Sequence, residues 1–309
     1  MNEFNLIEKY FNWTKLDSTT LGIGDDCALV SIEPNNRLAT SVDTLIEGVH
    51  FPENTSPADI AHKALGVNLS DLAAMGATPK YFTLALTLPA YDQSWLEEFS
   101  ASLKTLANQY KIDLIGGDTT KGALSITINV TGVVTQNQAL LRSSARVGDL
   151  IFVSNTIGDA ALAWQQLQQD IKPSQQLLKQ FNTPNPQVIL GQALLGVANA
   201  CIDLSDGLDQ DLGHILKHSG VGAKINLADL PLSEEVAEYI LKTNDWCLPL
   251  AGGDDYQLCF TVAQDKVSEV KALEKELGIQ LNSIGFITKD IGLEYSKRLD
   301  QACSAYQHF

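Results

Sequence analysis

Short apolar runs typical of β-strands alternate with longer helical segments along most of the chain, and this alternation restricts the fold more than any other feature. In the first half it predicts strands at residues 37–46, 81–88, 113–118 and 123–134. Helices are predicted at 56–76, with Ser56 as the N-cap and Pro57 in the first turn, and at 94–110. This half is therefore predicted to form an α/β unit.

The second half repeats the alternation after a short polar segment. Residues 140–149, LLRSSARVGD, lack a clear periodicity and are predicted to be a linker. Beyond them the pattern predicts helices at 158–169, 209–219 and 265–277 and strands at 150–155, 198–204, 223–227, 256–262 and 281–287. We predict two α/β domains, at 1–139 and 150–309, and assign no helix or strand to the Pro- and Asn-rich residues 171–187.

The charge balance limits the possible partners. The 309 residues include 21 Lys and Arg against 37 Asp and Glu, a formal net charge of -16. Such a field repels nucleic acids and anionic membranes, so neither is expected as a partner. Because no secretory signal and no apolar window of spanning length is visible, we expect a cytoplasmic protein.

The cysteines indicate a reducing compartment. They are odd in number, widely separated and without a C-x-x-C pair, so we expect reduced, mostly buried thiols and no zinc site; they are Cys27, Cys201, Cys247, Cys259 and Cys303.

Aspartates recur in glycine-bordered loops throughout the chain. For any single loop the common explanation is a turn or a helix cap, because an Asp carboxylate accepts bonds from nearby backbone N–H groups. The whole set favours a site for divalent cations, which prefer oxygen ligands and in turn attract phosphate. The acidic positions of this set are Asp25, Asp26, Asp43, Asp71, Asp118, Asp203, Asp206, Asp254 and Asp255.

Asp71 is the most informative of these aspartates, because it falls inside a predicted helix rather than at its cap. A carboxylate there costs helix propensity and desolvation unless it has a partner. It is either a metal ligand or a charge at the edge of the apolar face that reaches water or Lys63.

Common nucleotide-binding motifs are incomplete. GIGDD lacks the third glycine of the dinucleotide fingerprint, and neither a G-x-x-x-x-G-K-[ST] loop nor the protein-kinase signature set is present.

A set of longer segments, however, resembles one enzyme family. In order along the chain they are GIGDDCALV, SVDTLIEGVHF, KALGVNLSDLAAMGATP, LIGGDTTKG, LLRSSARVGD, IDLSDGL, GGDDYQLCF and AYQHF. They resemble thiamine-monophosphate kinases, which belong to a superfamily with aminoimidazole ribonucleotide synthetase and selenophosphate synthetase. The resemblance implies an N-terminal mixed sheet with helices on one face, a C-terminal α/β sandwich, and a homodimer joined through the N-terminal sheets with ATP near the interface.

The resemblance also assigns roles to individual residues. It implies several Mg²⁺ ions, with ligands at Asp26, Ser41, Val42, Asp43, Asp71, Asp118, Asp203 and Asp206. It implies ATP contacts at Gly117, Asp118, Arg142 and Ser205, and thiamine monophosphate contacts at His50, Asp254 and Tyr306. Asp71, Asp118, Asp206 and Arg142 are the residues expected to support catalysis.

Two positions depart from the family pattern. Val42 stands where relatives often have Thr, so only its carbonyl oxygen could bind a metal, and Asp254 stands where Glu is common. Some of the implied roles have simpler alternatives. Ser205 could be an N-cap for the helix near Asp206, His50 a strand-end histidine, and Tyr306 a residue that fixes the C-terminus.

The chemistry implied by the resemblance agrees with the residues present. A phosphate monoester is already ionised at neutral pH, so it needs no general base, and phosphoryl transfer depends mainly on positioning and charge neutralisation. Two other functions remain open: another ATP-dependent synthetase of the superfamily, or a non-catalytic protein that binds cations or nucleotides. The N-terminal glycine-rich segment lacks the Cys and Lys pair expected for selenophosphate synthesis.

Overall fold

A computed structural model describes residues 3–14, 20–24, 26–299 and 303. It contains two compact units. The first unit comprises residues 1–72, 77–137 and 182–184, and the second comprises 73–76, 138–181 and 185–309. The predicted linker at 140–149 is counted with the second unit, and the domain boundaries remain a prediction.

The first unit is built on a four-stranded mixed sheet. Its strands are β1 (Asn36–Ile46), β2 (Thr78–Leu88), β3 (Asp113–Lys121) and β4 (Ser125–Thr135), in the order β1-β4-β2-β3. Strand β4 is antiparallel to both β1 and β2, whereas β3 is parallel to β2. The helices of this unit are α1 (Glu3–Tyr10), α2 (Pro57–Ala74) and α3 (Gln93–Tyr110).

The two faces of this sheet differ in burial. Alternate residues of the central strands, such as Phe82, Leu84 and Ile128, are fully buried. On the edge strand β1 the residues of the opposite face are exposed, including Leu38, Val42 and Ile46 at 47%, 56% and 41%. The sheet therefore has one core face and one open face, as period-two alternation dictates.

The second unit contains a six-stranded mixed sheet in the order β10-β7-β9-β5-β8-β6. Its strands are β5 (Leu150–Ser154), β6 (Ala200–Asp203), β7 (Gly222–Ile225), β8 (Leu258–Val262), β9 (Leu281–Thr288) and β10 (Gly292–Tyr295). Its helices are α4 (Asp159–Gln168), α5 (Gln175–Asn182), α6 (Val188–Ala193), α7 (Leu208–Ser219), α8 (Glu234–Thr243), α9 (Cys247–Ala251) and α10 (Val267–Leu277). The predicted α/β class is confirmed in both units.

Local sequence signals explain several boundaries. The hydroxyl of Ser56 accepts the N–H of Asp59 at 3.1 Å and caps α2 as predicted. Helix α3 begins earlier than predicted, because Asp92 is its cap and accepts the N–H of Trp95. Helix α5 lies within the segment that the sequence left unassigned. Among the described residues, none of the helices combines the length and apolar character needed to cross a bilayer.

The cysteine prediction is wrong for one pair. Cys247, at the start of α9, forms a disulfide with Cys303, 56 residues further along the chain. Cys201 and Cys259 are buried free thiols, as expected, and Cys27 is an exposed one. Pairing of distant cysteines depends on the tertiary fold, so the sequence spacing alone gave no signal for it.

Candidate functional site

The first unit brings three of the predicted metal ligands together. Ser41 and Asp43 are two residues apart on β1, so they share the core face, and Asp71 approaches them from α2. The Ser41 hydroxyl donates to Asp71 Oδ2 at 2.5 Å. Burial, followed by the charge of Asp71 and a hydrogen bond to it, raises the pKa of Asp43 to about 6. Two carboxylates in contact favour a proton or a cation between them.

Val42 lies on the other side of the same strand. It pairs with Asn129 on β4, and its side chain is exposed on the open face. The side chain therefore points away from Ser41 and Asp43, which leaves only its backbone carbonyl as a possible metal ligand.

A cleft of about 790 Å³ in the first unit joins two of the predicted glycine-rich loops. Gly22, Gly24 and Asp26 line one side, and Gly117 and Asp118 line another. A Cβ at position 117 would lie 1.9 Å from the carbonyl oxygen of Leu84, so only glycine allows β3 to approach β2 this closely. Gly117 and Asp118, two of the predicted ATP contacts, thus lie in strand β3 and line this cleft, whereas Ser41 and Asp71 are not among its lining residues.

Asp118 is separated from the carboxylate pair. A row of paired residues crosses all four strands of the sheet, from Asp118 on β3 through Ala85 on β2 and Thr127 on β4 to Thr44 on β1. Three strand spacings of about 4.8 Å put the backbones of Asp118 and Thr44 about 14 Å apart. Across the described residues no three His, Cys, Asp or Glu side chains are grouped as ligands of one metal ion. The ligand roles of these residues remain a prediction.

His50 is fixed in a tight turn after β1. Its Nδ1 accepts the N–H of Ile46 at 3.1 Å, so the neutral ring carries its proton on Nε2 and can donate from there. Its carbonyl oxygen accepts a hydrogen bond from the Lys63 ammonium at 3.2 Å. Lys63, which the sequence offered as an alternative partner for Asp71, is only 2% exposed and supports the His50 turn. The Lys63 alternative for Asp71 stays open.

In the second unit the Asp203–Asp206 loop follows the end of β6. Asp203 is buried and Ser205 is exposed, while the Asp206 carboxylate accepts the side-chain amide of Gln210 at 2.6 Å. Helix α7 begins at Leu208 with Gly207 in the cap position. The alternative that Ser205 caps this helix is therefore wrong.

The GGDDY segment packs its backbone against this loop. The N–H of Asp254 donates to the carbonyl of Ser205, and the N–H of Tyr256 donates to that of Leu204, each at 2.8 Å. A Cβ at Gly253 would lie 2.4 Å from the Ser205 carbonyl oxygen, so glycine permits the contact. Two motifs that are distant in sequence, carrying Ser205 and Asp254, are thus adjacent in the fold.

Arg142 lies beside β6, the edge strand of the second sheet. The residue before it, Leu141, bridges to Ala200 at the start of β6, and the Arg142 carbonyl accepts the Ser219 hydroxyl at 2.9 Å. The pKa of His214 on α7 is lowered by burial and by the charge of Arg142, while Asp206 opposes the shift. Arg142 and Asp206 therefore act on one neighbouring side chain, and His214 is a site-edge residue that the sequence did not single out.

Two buried carboxylates lie behind these loops: Asp211, which the sequence analysis did not single out, and Asp255, which it counted among the acidic positions without giving it a role. Asp211 on α7 accepts backbone N–H groups of the preceding loop, and burial raises its pKa to about 7 although those bonds lower it. Asp255 accepts the N–H of Gly158, and burial raises its pKa well above the usual range. The acid in the first turn of α7 is a sequence signal for a partner of unpaired helix N–H groups. The remaining predicted contact, Tyr306, lies outside the described residues.

Comparison with known protein families supports the two-unit division of the sheets. The family described as "AIR synthase related protein, N-terminal domain" matches residues 24–134, and the family described as "AIR synthase related protein, C-terminal domain" matches residues 146–296.

Individual relatives are more specific. The chain is 46% identical over 304 residues to the thiamine-monophosphate kinase of Haemophilus influenzae, covering 96% of this chain and 92% of the relative. A crystal structure of thiamine-monophosphate kinase from Stenotrophomonas maltophilia is similar with a TM-score of 0.86, at 40% identity and 96% coverage of both chains. AaThiL complexed with AMPPCP and TMP is similar with a TM-score of 0.80, at 27% identity over 99% of this chain and 96% of that one.

Proposed function

The chain belongs to the thiamine-monophosphate kinase family, and we propose that it transfers the terminal phosphoryl group of ATP to thiamine monophosphate, giving thiamine diphosphate and ADP. The observation that carries this proposal is the similarity along nearly the whole chain to a structure that binds AMPPCP and TMP together. The Asp43–Asp71 pair of the first unit and the Asp203–Asp206 loop of the second both lie in sequence segments that resemble this family.

The residues of the first unit fit Mg²⁺. Asp43 and Asp71 provide carboxylate oxygens in contact and Ser41 adds a hydroxyl, which is a donor set that hard cations prefer. Asp26, Asp118, Asp203 and Asp206 are the other proposed ligands, and several ions would be needed to use them all. Bound Mg²⁺ would neutralise negative charge on the reacting phosphates.

The protein's own groups have positioning roles in the proposed in-line transfer. Arg142 and Ser205 would bind ATP at the edge of the second unit, and Gly117 would allow close approach of the nucleotide to the backbone. His50 can donate its Nε2 proton to an anionic acceptor. The acceptor phosphate is already ionised at neutral pH, so none of these residues needs to remove a proton from it.

We also propose a homodimer through the open face of the first sheet. Leu38, Val42 and Ile46 are exposed on this face, and a contiguous apolar face is a common mark of an interface. The expected cytoplasmic location remains a prediction.

An ADP-release assay with purified protein tests the proposal. Turnover should require ATP, Mg²⁺ and thiamine monophosphate and should stop when the metal is chelated. Thiamine should be a poor acceptor, because its hydroxyl would need a general base. Equal rates with thiamine would disprove the mechanism, turnover only with another acceptor would favour a superfamily synthetase, and binding without turnover would favour a non-catalytic protein.

A second experiment tests the proposed acceptor contacts. Tyr306→Ala should raise the KM for thiamine monophosphate and leave the KM for ATP nearly unchanged, whereas Tyr306→Phe keeps the ring and should have a smaller effect. Equal increases in both KM values would indicate a role in folding.

A further inference from the structure

Asp211 makes an unusual set of contacts for a helical aspartate. It lies in the first turn of α7, and its side chain is 3% exposed. Its Oδ2 atom accepts the backbone N–H groups of Ser205 and Asp206 at 3.0 Å each and that of Gly207 at 3.2 Å. One buried oxygen therefore fixes three consecutive peptide groups of the loop that carries the proposed ligands.

These contacts change what the loop before α7 can bind. Successive backbone N–H groups in a turn form a concavity that commonly holds an anion such as phosphate. Here the N–H groups of residues 205–207 already have the Asp211 carboxylate as their partner. Phosphate therefore gains no contact from these three groups, and the loop acts on ATP through its side chains and the metal ions they bind.

The other contacts of the loop hold its opposite side. The Ser205 carbonyl accepts the N–H of Asp254 at 2.8 Å, and Gly207 packs so closely on Ala251 that a Cβ would lie 2.7 Å from its Cα atom. On the helix side the loop is held by the three hydrogen bonds to Asp211. With the backbone held from both sides, Ser205 is left exposed and Asp206 half-buried.

We propose that Asp211 is a positioning residue for Mg²⁺-ATP: it orients the 205–207 backbone so that the side chains of Ser205 and Asp206 face the metal and nucleotide, and it occupies the N–H groups of residues 205–207 that phosphate would otherwise bind. This role rests on the proposed function for the identity of the nucleotide.

Variants at two neighbouring aspartates provide the test. Asp211→Ala removes the acceptor, Asp211→Asn keeps an oxygen without the charge, and Asp209→Asn is the matched control. Asp209 lies in the same helical turn but its carboxylate accepts the Tyr295 hydroxyl instead of loop N–H groups. Calorimetry with a non-hydrolysable ATP analogue and Mg²⁺ gives the affinity, and steady-state kinetics gives both KM values.

At pH 8, above the Asp211 pKa of about 7, we expect Asp211→Ala to weaken analogue binding by at least about tenfold and Asp211→Asn by about threefold, since charged acceptors form the stronger hydrogen bonds. In Asp211→Ala the loss of nucleotide affinity should exceed any change in the KM for thiamine monophosphate at least about fivefold. Formate, compared with chloride at equal ionic strength, should restore part of the affinity of Asp211→Ala by binding the freed N–H groups, and should not affect Asp209→Asn.

Three results would overturn the role of Asp211. They are an unchanged or tighter affinity in Asp211→Ala, no restoration by formate, and equal losses for both substrates. If Asp211→Ala does not fold, Asp211→Asn decides: a threefold loss supports the proposal, and an affinity equal to that of Asp209→Asn rejects it. Turnover of thiamine monophosphate by the wild type is measured separately, so a failure of the proposed function is distinguishable from a failure of this one.

Discussion

The acidic residues of the two units are of the same chemical type but have opposite environments. In the first unit Asp43 and Asp71 face one another, and burial together with the contact raises the pKa of Asp43. In the second unit Asp211 and Asp255 are at least as deeply buried, but Asp211 accepts three backbone N–H groups and Asp255 accepts one.

This difference shows how a buried carboxylate can be assigned a role. A carboxylate whose near neighbour is another carboxylate is stabilised by an added cation, so it is a candidate ligand. One that accepts several backbone N–H groups is stabilised by the fold itself and acts as part of the scaffold. The sequence pattern of Asp beside Gly is similar in both cases, and only the partners separate them.

Among variants that test this difference between the two units, Asp71→Asn should have the largest effect on activity. Activity should fall by more than about a hundredfold, because a proposed metal ligand and its charge are lost. The metal-free protein should melt at the same temperature or higher, since a like-charge contact is relieved, and the rise in Tm on adding Mg²⁺-ATP should shrink. Thermal melts with and without ligand measure both quantities.

Asp59→Asn is the matched control in the same helix. Asp59 lies in the first turn of α2 and its carboxylate accepts the Asn182 amide, away from the carboxylate pair. It should leave turnover unchanged. If metal-free Asp71→Asn melted several degrees lower than wild type, Asp71 would be a structural residue and the contrast between the units would fail.

Loss of the disulfide should have the next largest effect, a lower free energy of unfolding of the second unit, which contains both cysteines. Cys303→Ser removes a link between residues 56 positions apart. The expected loss of unfolding free energy is about 2–4 kcal/mol, through the greater freedom of the unfolded chain. Denaturant unfolding of Cys303→Ser, of wild type with reductant, and of the exposed-thiol control Cys27→Ser measures it. Equal stability of all three would show that the link contributes nothing.

A smaller effect concerns pH. The pKa of Asp43 is about 6 in the folded protein against 3.8 for a free side chain, so the folded state binds this proton more tightly than the unfolded state. The contribution of Asp43 to stability therefore rises as pH falls, by about 1 kcal/mol between pH 7 and pH 5. Asp43→Asn should lack this contribution, and saturating Mg²⁺ should suppress it in the wild type.

Asp211 and Asp255 also have raised pKa values, so they add slopes of the same sign. The comparison is therefore the difference between wild type and Asp43→Asn, measured by denaturant unfolding at each pH. Parallel curves would show that the pKa of Asp43 is not raised by burial and by the contact with Asp71.

The smallest effect is expected for Val42→Thr. The substitution restores the residue that relatives often have, but the side chain lies on the open face, opposite Asn129. We expect less than about a twofold change in the Mg²⁺ concentration needed for half-maximal activity, a free-energy change below about 0.4 kcal/mol. A tenfold gain would mean that metal is bound from the open face of the sheet.

The sequence predicted the elements whose signals are local. Alternation located β1, β2 and β4, and Ser56 was recognised as the cap of α2, because these depend on neighbouring residues only. The short strand β10 and helix α5, which lies between prolines, were missed since each is too short to show a clear period.

The candidate site was predictable as far as its residue types were unusual. Asp71 stood out because its carboxylate lies among apolar residues inside a predicted helix. The structure confirms that it lies within α2, where it accepts a hydrogen bond from Ser41. Asp211 and the Cys247–Cys303 pair did not stand out, because their partners are set by tertiary contacts. The alternative that Ser205 caps α7 is wrong because the backbone turns once more, at Gly207, before the helix begins.

The conformation of the GGDDY segment also has a consequence for the order of folding. Gly253, Asp254 and Tyr256 all have positive φ, at 67°, 65° and 49°. For the two non-glycine residues this costs on the order of 1 kcal/mol each, and the backbone N–H groups of Asp254 and Tyr256 donate to the carbonyls of Ser205 and Leu204, about fifty residues earlier in the chain. The segment is therefore less stable before β6 and β8 have paired. During refolding, ordering of this segment should accompany closure of the second sheet and should not precede it.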